Sequence, residues 1–193
     1  MKQIDINPFD TDYLLNGGKK LLLLGKTSCG KSYLLKDLIQ AIRQPFYYGV
    51  VITDTKHLGF YDFLPVQWVY RKYSPLLQHR CFMDNMYLFL DSYTPSRSTL
   101  DQITYEMKDK NILFAITLKD KIHKYLIDFD YIFLFSKEYI EDIYYFVKDI
   151  IETRIFYETI SNFFDISDKY EVLVVNCRAK TQEEIFFSYI CED

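Results

Sequence analysis

The chain has 193 residues and a net charge of −4, with 18 Tyr and 16 Phe against 6 Gly and 5 Pro. That length suits one ordinary domain with a real core, and the aromatic content excludes a disordered or low-complexity chain. The mild negative charge excludes a protein held to nucleic acid by bulk charge. Any such contact needs a local basic patch, or small patches pooled by several subunits.

Met1 to Asp10 is polar and does not read as a signal peptide. The turn Asn16-Gly17-Gly18 leads into Lys20 to Leu24, an apolar run of strand length. Lys31 to Arg43 reads as a helix with Leu34, Leu35, Leu38, Ile39 and Ile42 on one face. Tyr47 to Thr53 is a second strand, Gln67 to Tyr70 a short one, and Met86 to Asp91 a third clear one. Ser98 to Lys108 predicts a helix, followed by strands at Asn111 to Thr117 and Tyr131 to Ser136. Glu138 to Phe164 is helical in pattern with a break near Glu152 to Arg154, and Tyr170 to Asn176 is a last core strand. Strands that are apolar throughout, alternating with helices, predict an α/β fold with a mainly parallel central sheet and helices on both faces. No repeat or linker divides residues 1–193, so one domain is expected. The longest apolar runs are too short for a membrane span.

Gly25-Lys26-Thr27-Ser28-Cys29-Gly30-Lys31-Ser32 fits G-x-x-x-x-G-K-[ST] in full, with an apolar strand before it and an amphipathic helix after it. Glycines let the backbone curl until its N–H groups point inward at phosphates, and the helix N-terminus adds partial positive charge. In such a loop the lysine, Lys31, reaches the β- and γ-phosphates, and the Ser32 hydroxyl ligates Mg²⁺. The stretch from Gly25 through Tyr33 is therefore expected to hold ATP in a P-loop. Cys29 inside it reads either as a reactive thiol near a helix N-terminus or as a small filler.

A phosphate loop of this kind needs a carboxylate at the end of a neighbouring strand for the Mg²⁺ shell. "YLFLDS" offers Asp91 after a mostly apolar run. The next residue is Ser92, where hydrolytic relatives usually carry a second acid that activates water. The base then has to come from elsewhere, with Asp54, Asp101 and Glu106 as candidates, or hydrolysis is slow.

The order of elements goes further. "VVITDTKHLGFYDFLP", "LFLDS", "ILFAIT", "DFDYIFLFS", a helical stretch and "KYEVLVVN" follow one another. From Leu21 to Asn176 this resembles the genome-packaging ATPases of large double-stranded DNA viruses, the poxvirus-type branch of the FtsK–HerA superfamily. The loop and Asp91 carry the resemblance, and the remainder is similarity of pattern. It implies that Gly25 to Ser32 is the nucleotide loop and that Asp91 is the first acid of the second motif, with Ser92 departing from the second. The family's γ-phosphate-sensing glutamine falls on Thr117, a shorter hydrogen-bonding residue. The resemblance thus gives catalytic roles to Lys31, Asp91 and Thr117, and makes Ser32 and Asp91 the metal ligands. It further implies a homo-oligomeric ring that moves double-stranded DNA without reading its sequence. An arginine reaches the neighbour's nucleotide in such rings, and Arg97, Arg154 and Arg178 are candidates. A capsid or portal-vertex protein would be the partner, in the host cytoplasm, the viral factory or the virion.

"YRKYSPLLQHR" (Tyr70 to Arg80) interleaves Arg71, Lys72, His79 and Arg80 with tyrosines, as a DNA-channel loop or as an ordinary solvated one. His57, His79 and His123 have no carboxylate or cysteine at ligand spacing. Cys29, Cys81, Cys177 and Cys191 stand far apart, which fits a reduced, intracellular compartment. Lys26 stands where ParA/MinD-type switches carry a dimer-bridging lysine. That keeps an ATP-dependent dimer open as an alternative, beside a nucleoside or nucleotide kinase and a P-loop protein retired to a structural role.

Overall fold

The computed structural model describes residues 4–15, 18–42, 46–54, 58–64, 67–71, 73, 82–119, 128–168 and 170–191. Asn16, Gly17, His57, Lys72, His79, Arg80, Cys81 and His123 lie outside them. The strands are β1 (Asn7–Pro8), β2 (Lys20–Leu24), β3 (Tyr48–Thr53), β4 (Gln67–Tyr70), β5 (Met86–Asp91), β6 (Ile112–Leu118), β7 (Tyr131–Leu134), β8 (Glu171–Asn176) and β9 (Phe186–Ile190). The helices are α1 (Lys31–Ala41), α2 (Arg97–Glu106), α3 (Ile140–Val147) and α4 (Thr153–Ile166). The helical stretch breaks between α3 and α4, as the sequence predicts. Among the described residues no helix is long and apolar enough to cross a membrane.

One sheet holds the nine strands in the order β1-β9-β8-β7-β2-β6-β5-β3-β4. The six from β7 to β4 are parallel. The expectation of a mainly parallel sheet needs correction at the other edge. There β8 runs antiparallel to β7, and β9 antiparallel to β8. The reason lies in the connection. One crossover helix returns a chain to the opposite end of a sheet, which gives a parallel neighbour. Two helices in succession, α3 and α4, bring it back to the end that β7 left, so β8 starts there and must run the other way. The sequence does not mark β9 and β1 as strands: β1 is two residues long, and β9 is at least partly exposed at four of its five positions.

The four leucines of β2 show how the sheet is covered. Leu22 and Leu24 join one apolar cluster and Leu21 and Leu23 the other, each with no exposed surface. Successive strand side chains point to opposite faces, so a strand buried on both sides has no polar positions. On one face α1 inserts Leu34, Leu35, Leu38 and Ile39. On the other, α2, α3 and α4 bring Leu100, Ile103, Ile143, Val147, Phe156 and Ile160. Truncating one of these β2 leucines to alanine costs about 2–5 kcal/mol. β2 is therefore a rigid mount for the loop that follows it.

Candidate functional site

The loop leaves β2 at the carboxyl end of the parallel strands, where open α/β sheets place their ligand crevices. Gly25 N–H donates to the Leu118 carbonyl at 3.2 Å, while Phe135 N–H donates to Leu24 at 3.0 Å, so both neighbouring strands hold the loop's start. A Cβ on Gly25 would meet Cys29 Sγ at 2.6 Å and Phe135 Cβ at 2.7 Å, so no larger residue fits. Ser28 (φ 63°) and Gly30 (φ 99°) are left-handed and turn the chain back on itself. Gly30 is the N-cap of α1 and offers no side-chain cap. The helix's first N–H groups therefore have no side-chain acceptor from the cap. Lys31 Nζ donates to the carbonyls of Gly25 (2.7 Å) and Lys26 (2.6 Å), lying across the loop. The ammonium of Lys26 pairs with Glu138 of its own chain at 2.6 Å, and this hydrogen bond raises its pKa.

Across the crevice lies Asp91, the last residue of β5, only 2 % exposed. β6 stands between β2 and β5 and carries Thr117, which pairs in register with Leu23 of β2. Thr117 Oγ1 donates to Asp91 Oδ1 at 2.7 Å and accepts the Ser92 N–H at 2.8 Å. Ser92 itself is left-handed (φ 55°) and exposed, so the chain turns sharply straight after the acid. The other oxygen, Oδ2, accepts the Tyr61 hydroxyl at 2.8 Å. Tyr61 belongs to a 3-10 turn, Leu58–Tyr61, and its hydroxyl also lies 3.3 Å from Thr53 Oγ1 at the end of β3. Burial, and after it the Asp91 carboxylate, pushes the phenol's pKa well above the usual tyrosine value, which keeps it a donor.

These groups face one cavity of ≈ 730 Å³. Of the residues expected from sequence, Thr27, Ser28, Gly30, Lys31, Ser32, Tyr33, Asp91 and Thr117 line it. Gly25, Lys26 and Cys29, though part of the same loop, do not. Sequence reasoning missed Phe60, Tyr61, Thr94 and Lys119 in the lining. Phe60 meets Tyr33 edge-on at 5.3 Å. The aromatic run "GFYDF" was visible, but nothing in its spacing assigned it to Asp91.

The remaining candidates separate by position. Asp54, Asp101 and Glu106 are not in the lining. Asp54 directly follows Thr53, which is paired in register with Asp91, so its backbone stands beside Ser92. Arg178 binds Asp128 (2.9 Å) and Asp130 (3.1 Å) next to the start of β7, the opposite end of the sheet from the cavity. Arg154 pairs with Glu158 within α4 at 2.7 Å. Arg97 opens α2 shortly after β5 ends, is exposed, and makes no ion pair among the described residues. Of the basic segment Tyr70 to Arg80, Arg71 is described and exposed.

No protein-family model matches the chain. Over 86 residues, 42 % of its length, it is 35 % identical to Uncharacterized protein 015R of Frog virus 3 (isolate Goorha), and the match spans 26 % of that protein. Its fold is similar to that of the genome packaging NTPase B204 from Sulfolobus turreted icosahedral virus 2. The sulfate complex of B204 superposes with a TM-score of 0.58 at 12 % identity, covering 92 % of this chain and 98 % of that one. The ATP-gammaS complex gives 0.57 at 13 % over the same shares, and the AMPPCP complex 0.55 at 13 % over 86 % and 96 %. At these identities the likeness is one of fold: a mixed α/β sheet shared along nearly the whole length of both chains.

Proposed function

We propose that the chain is a single P-loop ATPase domain that binds ATP with Mg²⁺ and uses its hydrolysis to drive double-stranded DNA into a viral capsid. The observation that carries this reading is the convergence of Lys31, Ser32, Asp91 and Thr117 on one cavity at the carboxyl end of the parallel strands. The near full-length likeness in fold to a packaging NTPase solved with ATP-gammaS and AMPPCP supports it. Membership of the poxvirus-type FtsK–HerA branch, assembly into a ring and docking on a capsid or portal vertex belong to the same proposal. So does work inside the infected cell.

The residues fit a hard cation. The Ser32 hydroxyl and the Asp91 carboxylate are oxygen donors on one cavity, and Asp91 is hydrogen-bonded by neutral hydroxyls that leave its charge intact. Two protein oxygens suit a Mg²⁺ that keeps water and phosphate oxygens as its other ligands. Bound there, the cation offsets negative charge on the β- and γ-phosphates. The loop's N–H groups and α1's N-terminus cradle the phosphates. Lys31 exchanges its two carbonyl partners for phosphate oxygens. Thr117, midway between loop and carboxylate, gives its one proton to Asp91 and accepts the Ser92 N–H, so its remaining lone pair can accept a hydrogen bond from the attacking water. Of the three candidate acids, Asp54 has its backbone beside Ser92 and its side chain outside the cavity lining. It is the candidate for the acid that Ser92 lacks, and in that role it would take the proton of the attacking water as the new P–O bond forms and the β–γ bridging oxygen leaves with ADP. Of the three candidate arginines, Arg97 opens α2 shortly after β5, at the cavity's end of the sheet, and in this proposal it is the one that reaches a neighbouring subunit's site.

The test is the rate of ATP hydrolysis with and without double-stranded DNA, with Lys31→Ala as the blank. A rate that rises with DNA and vanishes in the variant is expected. Nucleotide binding without hydrolysis above the blank, DNA present or absent, would sink the motor. Asp54→Asn should bind nucleotide normally and hydrolyse it at least about 100-fold more slowly.

A further inference from the structure

We propose that Tyr61 is a positioning residue that fixes the orientation in which Asp91 presents its carboxylate to a divalent cation. The inference rests on the nucleotide-site reading above. A carboxylate at the end of a strand rotates freely about its Cβ–Cγ bond unless its oxygens are held. Among the described residues each oxygen is held once, Oδ1 by Thr117 at 2.7 Å and Oδ2 by Tyr61 at 2.8 Å. One donor on each oxygen fixes the plane of the group and leaves a second lone-pair direction on each.

The chemistry of the two donors matters as much as their geometry. A lysine or arginine in either place would cancel the charge that a cation needs. Neutral hydroxyls orient the group and leave its full negative charge available, as second-layer partners of metal ligands do. The phenol is deeply built in. Tyr61 is 1 % exposed, its carbonyl accepts the Leu64 N–H at 3.0 Å, and its ring packs against Phe60 and Phe63. Phe60 in turn meets Tyr33, next to Ser32. The turn Leu58–Tyr61 therefore bridges the two sides on which the proposed metal ligands stand. A buried phenol without a partner is destabilising; this one spends its donor on Asp91.

The experiment uses the full chain, wild type and Tyr61→Phe, with Thr53→Val as comparison. Binding of AMPPCP is measured first in EDTA, and Mn²⁺ is then titrated at saturating AMPPCP by electron paramagnetic resonance. Asp91 borders the cavity, so water can take the lost hydroxyl's place and the phenylalanine variant keeps its packing. The expected result is metal-free AMPPCP affinity within about twofold of wild type and Mn²⁺ half-saturation raised about 10- to 100-fold. Thr53→Val removes the phenol's other neighbour and should follow wild type. Unchanged or tighter Mn²⁺ binding in Tyr61→Phe overturns the inference, as does an equal loss in Thr53→Val, which would assign the effect to packing. Absence of AMPPCP binding by the wild type overturns the nucleotide reading and this inference with it.

Discussion

The two sides of the cavity are made in different ways. The loop side is local: eight consecutive residues, Gly25 to Ser32, supply two left-handed turns, a lysine and an uncapped helix start. The carboxylate side is assembled from β3, the Leu58–Tyr61 turn, β5 and β6, and its bonds join residues 26 and 30 positions apart. A local device works wherever a strand and a helix hold its ends. An assembled one works only once the sheet order has formed. Loss of a loop side chain should therefore act mainly on ligand and rate, and loss of one on the carboxylate side on stability as well, whereas the loop's glycines hold its backbone shape.

The largest effect is expected from Lys31→Ala. The proposed function aims this ammonium at the transferring phosphate, and its removal should then lower hydrolysis by about 10²–10³-fold, read as phosphate release. Among the described residues the hydrogen bonds of Lys31 stay within the loop, so the melting temperature should stay near wild type; a large drop would contradict the division drawn above. Next comes Thr117→Val, which leaves the Ser92 N–H and one Asp91 oxygen without their partner. It should destabilise the protein by about 1–3 kcal/mol in urea unfolding, while Thr117→Ser recovers most of that.

The two loop glycines sharpen the comparison within one motif. Gly25→Ala overfills the space between Cys29 and Phe135 and should cost about 1–3 kcal/mol together with nucleotide affinity. Gly30→Ala meets nothing nearer than Phe135 Cε1 at 3.9 Å. Its cost is the left-handed backbone alone, about 1–2 kcal/mol. Equal stability for both variants with equal nucleotide affinity would show that Gly25 is not there for space.

An effect that touches neither side of the cavity involves the core, and near neutral pH it vanishes. Burial pushes Tyr87 up to about 12 and, with Asp130 and Tyr13 adding, Tyr131 up to about 12. Below pH 10 both tyrosines are protonated in the folded and unfolded chain alike, and stability is indifferent to them. Between pH 10 and 12 the unfolded chain releases protons that the folded chain retains, so stability falls as pH rises. Each tyrosine contributes up to about 1.4 kcal/mol per pH unit there. Denaturation at pH 9, 10 and 11 checks this, and a midpoint that stays flat to pH 11 would contradict it.

Most of the fold was legible. Continuous apolar runs at Leu21–Leu24, Met86–Leu90 and Ile112–Ile116 mark strands buried on both faces, because such strands leave no polar positions. The short, exposed β1 and the half-exposed β9 carry no such mark. The antiparallel course of β8 was hidden too, since an apolar run is the same read in either direction, and only the out-and-back pair α3 and α4 decides it.

The sequence by itself determined the loop, because its chemistry is contiguous and rests on backbone freedom at fixed positions. It also pointed to Asp91, because a polar residue ending an apolar strand stands out. Only the tertiary structure decided that Tyr61 and Thr117 share that carboxylate, that Asp54 stands beside Ser92, and that Arg178 is engaged at the far end of the sheet while Arg97 is near the cavity. Those relations depend on strand order and register. Both are set by burying both faces of a nine-stranded sheet at once, a property of the whole chain that no short stretch contains.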